Sequence, residues 1–568
     1  MIPRPEFPEP LMQRNPWQNL NGLWQFEVDA GGNGLDCEWQ NRTDFSQTIL
    51  VPYPPESHLS GIHHLGFMPW VWYRRTFDLA EQPDGLLRLH FGAVDYHASV
   101  WINGELVGEH AGGYVPFTLE IAAVVHPGQN TIVVCAHDDC RSGLQPSGKQ
   151  SRTVQSRGAE YTRTTGIWQT VWLEWLPPTH IESVHYSCDI HAPSVTLSLQ
   201  TAGQASLSIN IYHDHQLVGH SDQALSGPLT TVTIPLRVKA LWTIGDGQLY
   251  TVELQYGDDH VQSYFGLREV HFDQMRFMLN DQPVFQRLVL DQGYYPEGVY
   301  TAPTDADFIK DIHLTQQLGF NGARLHQKIV DPRLLYHCDQ LGLMVWAEMP
   351  SWGLDLTTPA GLLALLPEWE AAIKRDQNHP SIITWCPFNE TWDDAQHRPQ
   401  NLDAVQLVYH TTKQLDATRP VVDTSGHYHR ETDFYDVHDY TQDAKVFANH
   451  FNRELAKNGV CYDEHDARQH YQKGLPVAVS EYGGIKWAPD ADDPQAWGYG
   501  QPASPKAFVH QYQQLTQILL AAPQLFGFCY TQLYDVEQER TGLLDAHRRP
   551  KFDLSGITQI NQQPVLSE

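Results

Sequence analysis

The hydrophobic period of this 568-residue chain changes once, near residue 271. Before that point apolar residues alternate with polar ones, the period of a half-buried strand. Beyond it, short apolar runs alternate with segments patterned for one face of a helix. Few folds satisfy both halves. In the first half, residues 71–77 alternate and 86–91 follow after the turn Pro83-Asp84-Gly85. Residues 100–102 and 105–107 flank Asn103-Gly104, a pair that accepts the positive φ of a type I′ hairpin turn. With 132–136 and 169–174 as further strands, the pattern predicts an N-terminal jelly-roll β-sandwich over residues 1–180, ending at Pro177-Pro178. Residues 181–270 repeat the pattern on a smaller scale, in the runs 195–199, 207–211 and 250–254, and predict an immunoglobulin-like β-sandwich. No catalytic grouping stands out there, so it reads as a spacer.

Residues 271–568 read differently. From Asp331 to Gly342 the sequence spells one complete helix. Asp331 can cap the free N–H groups, Pro332 fits the first turn, Leu334, Leu335, Cys338 and Leu341 share a face, and Gly342 supplies the stop. The apolar run 343–347 follows at once. The same order recurs at 304–318 before 321–325, at 368–376 before 382–386, at 402–415 before 421–422, and at 504–521 before 526–530. Buried strands alternating with amphipathic helices over this length predict a C-terminal (β/α)8 TIM barrel, and so a multidomain β plus α/β protein. A doubly wound open sheet would carry a Gly-rich phosphate turn after an early strand, and no GxGxxG is present there.

Charge and composition narrow the function classes. Lys and Arg total 37 against 67 Asp and Glu, a formal charge of −30. That sign repels phosphate backbones and anionic lipid, so neither nucleic acid nor membrane is expected as a partner. No uninterrupted apolar run approaches the roughly 20 residues of a membrane span. The opening residues contain no apolar leader core, and the eight cysteines are sparse, with no CxxC pair. That usage suits a reduced, cytoplasmic setting and not a zinc cage. The 17 Trp, 25 Tyr and 21 Phe residues could stack on sugar rings or simply fill cores.

In a barrel the reacting groups sit where strands end. Those ends carry Asp291, Arg324 with His326, Glu348, Asn389-Glu390, Asp423, His438 with Tyr440, Glu481, and Gln532 with Asp535. Glu390 closes the run 382–390 and Glu481 the run 477–481, positions poorly suited to mere solubility. Two carboxylates facing across a sugar acetal are the minimum set for glycoside hydrolysis: one protonates the leaving oxygen, the other attacks the anomeric carbon or activates water. A buried ion pair with Arg324 is the competing use for either acid.

At this point the chain resembles glycoside hydrolase family 2, the family of β-galactosidases, β-glucuronidases and β-mannosidases. The resemblance begins with Asn15-Pro16-Trp17-Gln18-Asn19-Leu20-Asn21-Gly22 and continues through the signature-like stretch from Val94 to Gly104 and the closing Thr165-Gly166-Ile167-Trp168. In the barrel, Asn378-His379-Pro380-Ser381 leading to Asn389-Glu390 matches the family's acid/base segment, and Ser480-Glu481-Tyr482-Gly483 resembles its nucleophile segment. The resemblance implies an exo-acting hydrolase that retains configuration, with Glu390 as general acid/base and Glu481 as nucleophile. It also implies a hydrogen bond from Asn389 to the sugar 2-hydroxyl, and a Glu390 carboxyl raised in pKa by apolar walls and by the charge of Glu481. Arg324 would orient Glu481. His326, Lys328, His438 and Tyr440 would stand at the barrel mouth, Trp352, Trp392 and Trp487 would line an apolar platform, and Asp291 and Asp535 would grip hydroxyls.

Glucuronidases of this family usually carry Asn-x-Lys near the end of the barrel, and the stretch from Tyr534 to Leu544 has none. The expectation is therefore a neutral terminal sugar and a β-galactosidase-like enzyme. Glucuronide or galacturonide, mannoside, and arabino- or galactofuranoside stay open as alternatives, and Lys328 is the residue that could serve an acidic sugar. A reading from another class is a non-catalytic carbohydrate-binding protein, which would have no reason to keep both acids. No cofactor is required, no spacing indicates Mg²⁺, Na⁺ or another metal, and family habit allows a homo-oligomer.

Overall fold

A computed structural model of the chain describes residues 2–224, 227–392, 398–451, 462, 469, 471–488 and 494–565. Cys461 lies outside them; the other seven cysteines are free thiols. The N-terminal sandwich packs a six-stranded antiparallel sheet on a four-stranded one. The alternation in the sequence sets which residues meet: Trp24, Tyr73, Leu89, Val100, Val134 and Leu173 fill the space between the sheets. The hairpin forms as its sequence requires, with Asn103 at φ 53° and Gly104 at 86° between His97–Ile102 and Glu105–Ala111. A second sandwich of three- and four-stranded sheets follows, from the strand His180–Asp189 to Asp259–Phe265.

The C-terminal part is the (β/α)8 barrel. Seven parallel strands run in the order Ile382–Cys386, Met344–Glu348, Gly322–Leu325, Gln286–Asp291, Leu525–Thr531, Val477–Gly483, Tyr435–Asp439. The eighth wall is the run 421–425, which bridges the Ile382–Cys386 segment in parallel through Trp385↔Val421 and Asn389↔Ser425. On its other side side chains replace the ladder: Ser425 Oγ donates to Asp436 Oδ2 at 2.6 Å. The polar sequence Asp423-Thr424-Ser425 therefore closes the barrel without a regular strand.

Two elements differ from the sequence expectation. The helix expected over 368–376 begins at Pro359 and runs to Asp376, because Pro367 lies inside it and masks the period. A three-stranded antiparallel sheet, 270–283, precedes the first barrel strand. Its Phe272 packs on Phe434 and Phe526 at the N-terminal ends of two barrel strands, plugging the end away from the strand tips. The helix Pro332–Leu341 is as expected, with the Asp331 side chain accepting from Arg333 N at 2.9 Å. No helix among the described residues is long and apolar enough to cross a membrane.

Candidate active site

The strand tips converge on two carboxylates. Glu481 lies within the strand Val477–Gly483 and is almost fully buried. Its Oε1 accepts from Arg324 Nη1 at 3.2 Å, and its Oε2 from the Tyr440 hydroxyl at 2.5 Å. Glu390 follows the Ile382–Cys386 strand at φ 45°, a left-handed backbone that a glutamate adopts only under constraint. Its Oε1 lies 2.6 Å from His438 Nδ1, and its Oε2 accepts from Trp392 Nε1 at 3.1 Å. One oxygen of Glu390 and one of Glu481 lie within 4.8 Å of each other.

Arg324 organises the floor. It is completely buried and donates from Nε to Glu348 Oε1 at 2.6 Å, from Nη1 to Ser480 O at 2.6 Å and from Nη2 to Asn389 Oδ1 at 3.1 Å. Asn389 thereby has its oxygen fixed, while its buried Nδ2 has no partner among the described residues. His326 Nδ1 meets Glu348 Oε2 at 2.8 Å. Burial lowers the pKa of this imidazole despite that carboxylate, so it rests neutral near pH 7.

Glu390 departs from the sequence expectation. Burial pushes its carboxyl up, as expected, but the hydrogen bond and charge of His438 outweigh burial, with His427 and Lys149 adding to the effect, and hold it below the usual carboxylate range. The imidazole moves the other way: burial disfavours its charge, but Glu481 and Glu390 raise it. The imidazole thus binds a proton more tightly than the carboxylate does. Among the described residues the metal-type donors that cluster are Glu390, His438 and Glu481 themselves, and the contacts among these three groups already engage them.

Several expected sugar contacts are occupied elsewhere. Lys328 is buried away from the acids, donating to Gly293 O at 2.6 Å and Tyr300 O at 2.8 Å over the Tyr300 ring. Asp291 accepts from Gly293 N at 2.8 Å and from the Tyr534 hydroxyl. Asp535 pairs with Lys551 Nζ at 2.5 Å, and Trp487 packs edge-on against Phe552. These four hold the loops together instead of lining the acids. Trp352 and Trp392 lie beside the acid/base segment: Trp352 Nε1 donates to Asn389 O at 3.0 Å, and the half-exposed Trp392 donates to Glu390 Oε2.

Lys149 escaped the sequence reading because it belongs to the N-terminal sandwich. Its loop is stitched to the barrel: Ser147 N and Gly148 N donate to Trp352 O at 2.9 and 3.1 Å. Gly148 is required there, since a Cβ would sit 2.3 Å from Gln327 O. The loop delivers the Lys149 ammonium to 3.8 Å from the centre of the Trp352 ring, where its charge acts on Glu390, His326 and Glu539. The only signal in the sequence was a Gly-Lys pair in a loop of the N-terminal sandwich.

A barrel mouth that sets two carboxylates this close, each aimed by cationic or hydroxyl donors, is that of an O-glycosyl hydrolase. Residues 17–177 match the sugar binding domain of the glycosyl hydrolases family 2 and residues 301–550 its TIM barrel domain, and the chain belongs to glycoside hydrolase family 2. It is 24% identical to the Homo sapiens β-glucuronidase over 551 residues, 88% of this chain and 81% of that protein. The Mus musculus β-glucuronidase is 25% identical over 454 residues, 72% of this chain and 68% of the relative. Among solved structures, the Lactobacillus rhamnosus β-glucuronidase superposes with a TM-score of 0.81 at 21% identity, covering 98% of both chains. The β-glucuronidase from Ruminococcus gnavus in complex with D-glucuronic acid does so with 0.78 at 19%, covering 97% of this chain and 99% of that one. These relatives are β-glucuronidases and so stand with the uronide alternative of the sequence reading more than with its β-galactosidase-like expectation.

Proposed function

We propose that the protein is a retaining, exo-acting β-glucuronidase-like hydrolase of terminal uronides. Beside the β-glucuronidase relatives, one observation carries the choice of an acidic sugar. Lys149 is only 6% exposed, and among the described residues no carboxylate or carbonyl lies within hydrogen-bonding distance of its ammonium. Its charge faces the Trp352 ring and acts on Glu390 and Glu539 from a distance, so a hydrogen-bonded counter-charge from a ligand would stabilise it. A sugar carboxylate would do so, taking over from this side of the pocket the task of the missing Asn-x-Lys.

The chemistry follows from the placement of the acids. The close oxygens suit double displacement, which uses carboxyl groups roughly 5–5.5 Å apart and leaves no room for an intervening water. Glu481 attacks the anomeric carbon while Glu390 delivers a proton to the leaving oxygen, giving a covalent glycosyl-enzyme. Glu390, again a carboxylate, then takes a proton from water, which displaces Glu481. Asn389 Nδ2 is placed to bond the 2-hydroxyl, a contact that strengthens as positive charge develops at the anomeric carbon. Arg324 and Tyr440 hold the nucleophile aimed. The loop 147–150 closes one side of the mouth, which suits a chain end more than a chain interior.

The test is a matched panel of nitrophenyl β-D-glucuronide, galacturonide, glucoside and galactoside with wild type and Lys149→Met. Turnover confined to a uronide and lost by about 10²-fold or more in the variant, the scale of a buried charge-assisted contact, is the expected result. Turnover of the neutral glycosides alone would return the protein to a neutral-sugar reading.

A further inference from the structure

His438 stands between the two glutamates and touches both. Nδ1 lies 2.6 Å from Glu390 Oε1; Nε2 lies 3.4 Å from Glu481 Oε1 and 3.1 Å from Ser425 Oγ. The ring is buried against Gly426, where a Cβ would come within 2.6 Å of it. Behind it a polar chain holds Ser425 in place: Ser425 Oγ donates to Asp436 Oδ2 at 2.6 Å, Asp436 Oδ1 meets His429 Nε2 at 3.1 Å, and His429 Nδ1 meets Asp423 Oδ1 at 2.7 Å. The charged groups that face the imidazole are Glu390 and Glu481 on either side, Asp436 through Ser425, and the Arg324 guanidinium. Acids therefore dominate its surroundings.

We propose that His438 is a positioning residue that stores the general acid's proton between turnovers and returns it to Glu390 when a glycoside enters. In the free enzyme the Nδ1–H bond points at Glu390 Oε1. The entering leaving oxygen needs a donor, so the Nδ1–H bond breaks as the Glu390 O–H bond forms, and His438 becomes neutral. Glu390 passes that proton to the leaving oxygen as Glu481 forms the ester, so the negative charge of Glu481 is consumed while that of Glu390 returns. In the second half, the proton that Glu390 removes from water moves back to Nδ1 as the Glu481 carboxylate is released. Over the cycle no proton is gained or lost. Of the two homes for one proton, the imidazole is the resting one, and a pair that shares a proton titrates as a unit.

The proposal rests on the hydrolase chemistry and on no particular sugar. The experiment measures kcat/KM against pH for wild type, His438→Gln and Ser425→Ala, on the phenyl and the 2,4-dinitrophenyl glycoside of whichever sugar the wild type cleaves. Removing one of two proton homes must lower the proton affinity of the pair. The basic limb of His438→Gln is therefore expected to move to lower pH by about one unit or more. At neutral pH the phenyl glycoside is expected to lose about 10²-fold, the scale of general acid catalysis, and the dinitrophenyl glycoside, which leaves without a proton, only a few-fold. Ser425→Ala, which removes one partner of Nε2 and no side-chain contact to either glutamate, should shift the limb the same way by less, and it decides the matter if His438→Gln does not fold. A basic limb unmoved in the folded variants, or equal losses on the two leaving groups, would place the proton on Glu390 alone and overturn the proposal.

Discussion

Arg324 and Glu348 form a completely buried ion pair, Nε to Oε1 at 2.6 Å, and the same guanidinium reaches Glu481 Oε1 at 3.2 Å. Burial alone would push the Glu348 carboxyl up, yet Arg324 and His326 pull it down to about 2. Glu348 is thus a fixed charge that aims Arg324 at the nucleophile. Arg324→Met strands that charge in the barrel, and the expected cost is about 3–5 kcal/mol of stability, the range for a broken buried pair. Urea unfolding measures it; a loss under about 1 kcal/mol would show that water or a rearranged side chain takes over from the guanidinium.

The two glutamates should fail in different ways. Glu390→Ala is expected to lower kcat on a poor leaving group by about 10²–10⁴-fold. On a dinitrophenyl glycoside it should instead accumulate the glycosyl-enzyme, and added azide should restore turnover as a β-glycosyl azide. Glu481→Gly should be silent on both leaving groups. An α-azide, or rescue by azide in the Glu481 variant with no effect in the Glu390 variant, would exchange the two roles.

How much of this site the sequence displayed depends on where each residue's partners lie. Glu390 and Glu481 were visible because each ends an apolar barrel run, and Arg324 because a cation ends another. Their order along the chain could be read without knowing their distances. The state of Glu390 could not: burial argued for a raised pKa, and only the 2.6 Å approach of His438, 48 residues away, reverses it. Lys328 looked suitable for an acidic sugar by sequence position, but its ammonium is spent on two backbone carbonyls. Lys149 lies outside the barrel sequence, and only the docking of its loop on Trp352 brings it to the strand tips. The same holds for the fold: helix caps and alternation marked out both halves and Val421-Val422 the start of the closing wall, whereas Asp423-Thr424-Ser425 carries no apolar run, because on one side of that wall side chains take the place of the ladder.

Two buried acids outside the catalytic pair make stability depend on pH. Burial pushes Glu56 up to about 8, with Asp138 adding to the effect and the bonds from Thr165 opposing it; burial pushes Glu368 to about 8 against the Tyr114 N–H at 2.7 Å. The folded protein holds both protons more tightly than the unfolded chain, whose glutamates titrate near their ordinary 4.5. Their contribution is complete below that value and is lost as pH rises through about 8. Tm should therefore fall between these limits, and Glu56→Gln with Glu368→Gln, which imitate the protonated acids, should flatten the fall. An equally steep fall in the double variant would assign the dependence to other groups.

Tyr440 gives the most direct check on the nucleophile. Its hydroxyl donates to Glu481 Oε2 at 2.5 Å and lies 3.0 Å from Thr531 Oγ1, while its ring stacks on Tyr499 at 3.9 Å. Burial and the charge of Glu481 raise the phenol well above its ordinary range, so it stays a donor across the working pH range. Tyr440→Phe keeps the stack and removes one charge-assisted bond, worth about 1.5–3 kcal/mol, or roughly 10- to 100-fold. That loss should fall on both half-reactions, because the donor aims the attacking carboxylate in the first and stabilises it as a leaving group in the second. Dinitrophenyl and phenyl glycosides should then suffer alike, the opposite of what His438→Gln predicts. A loss confined to the phenyl substrate would mean that Tyr440 acts on the acid and not on the nucleophile.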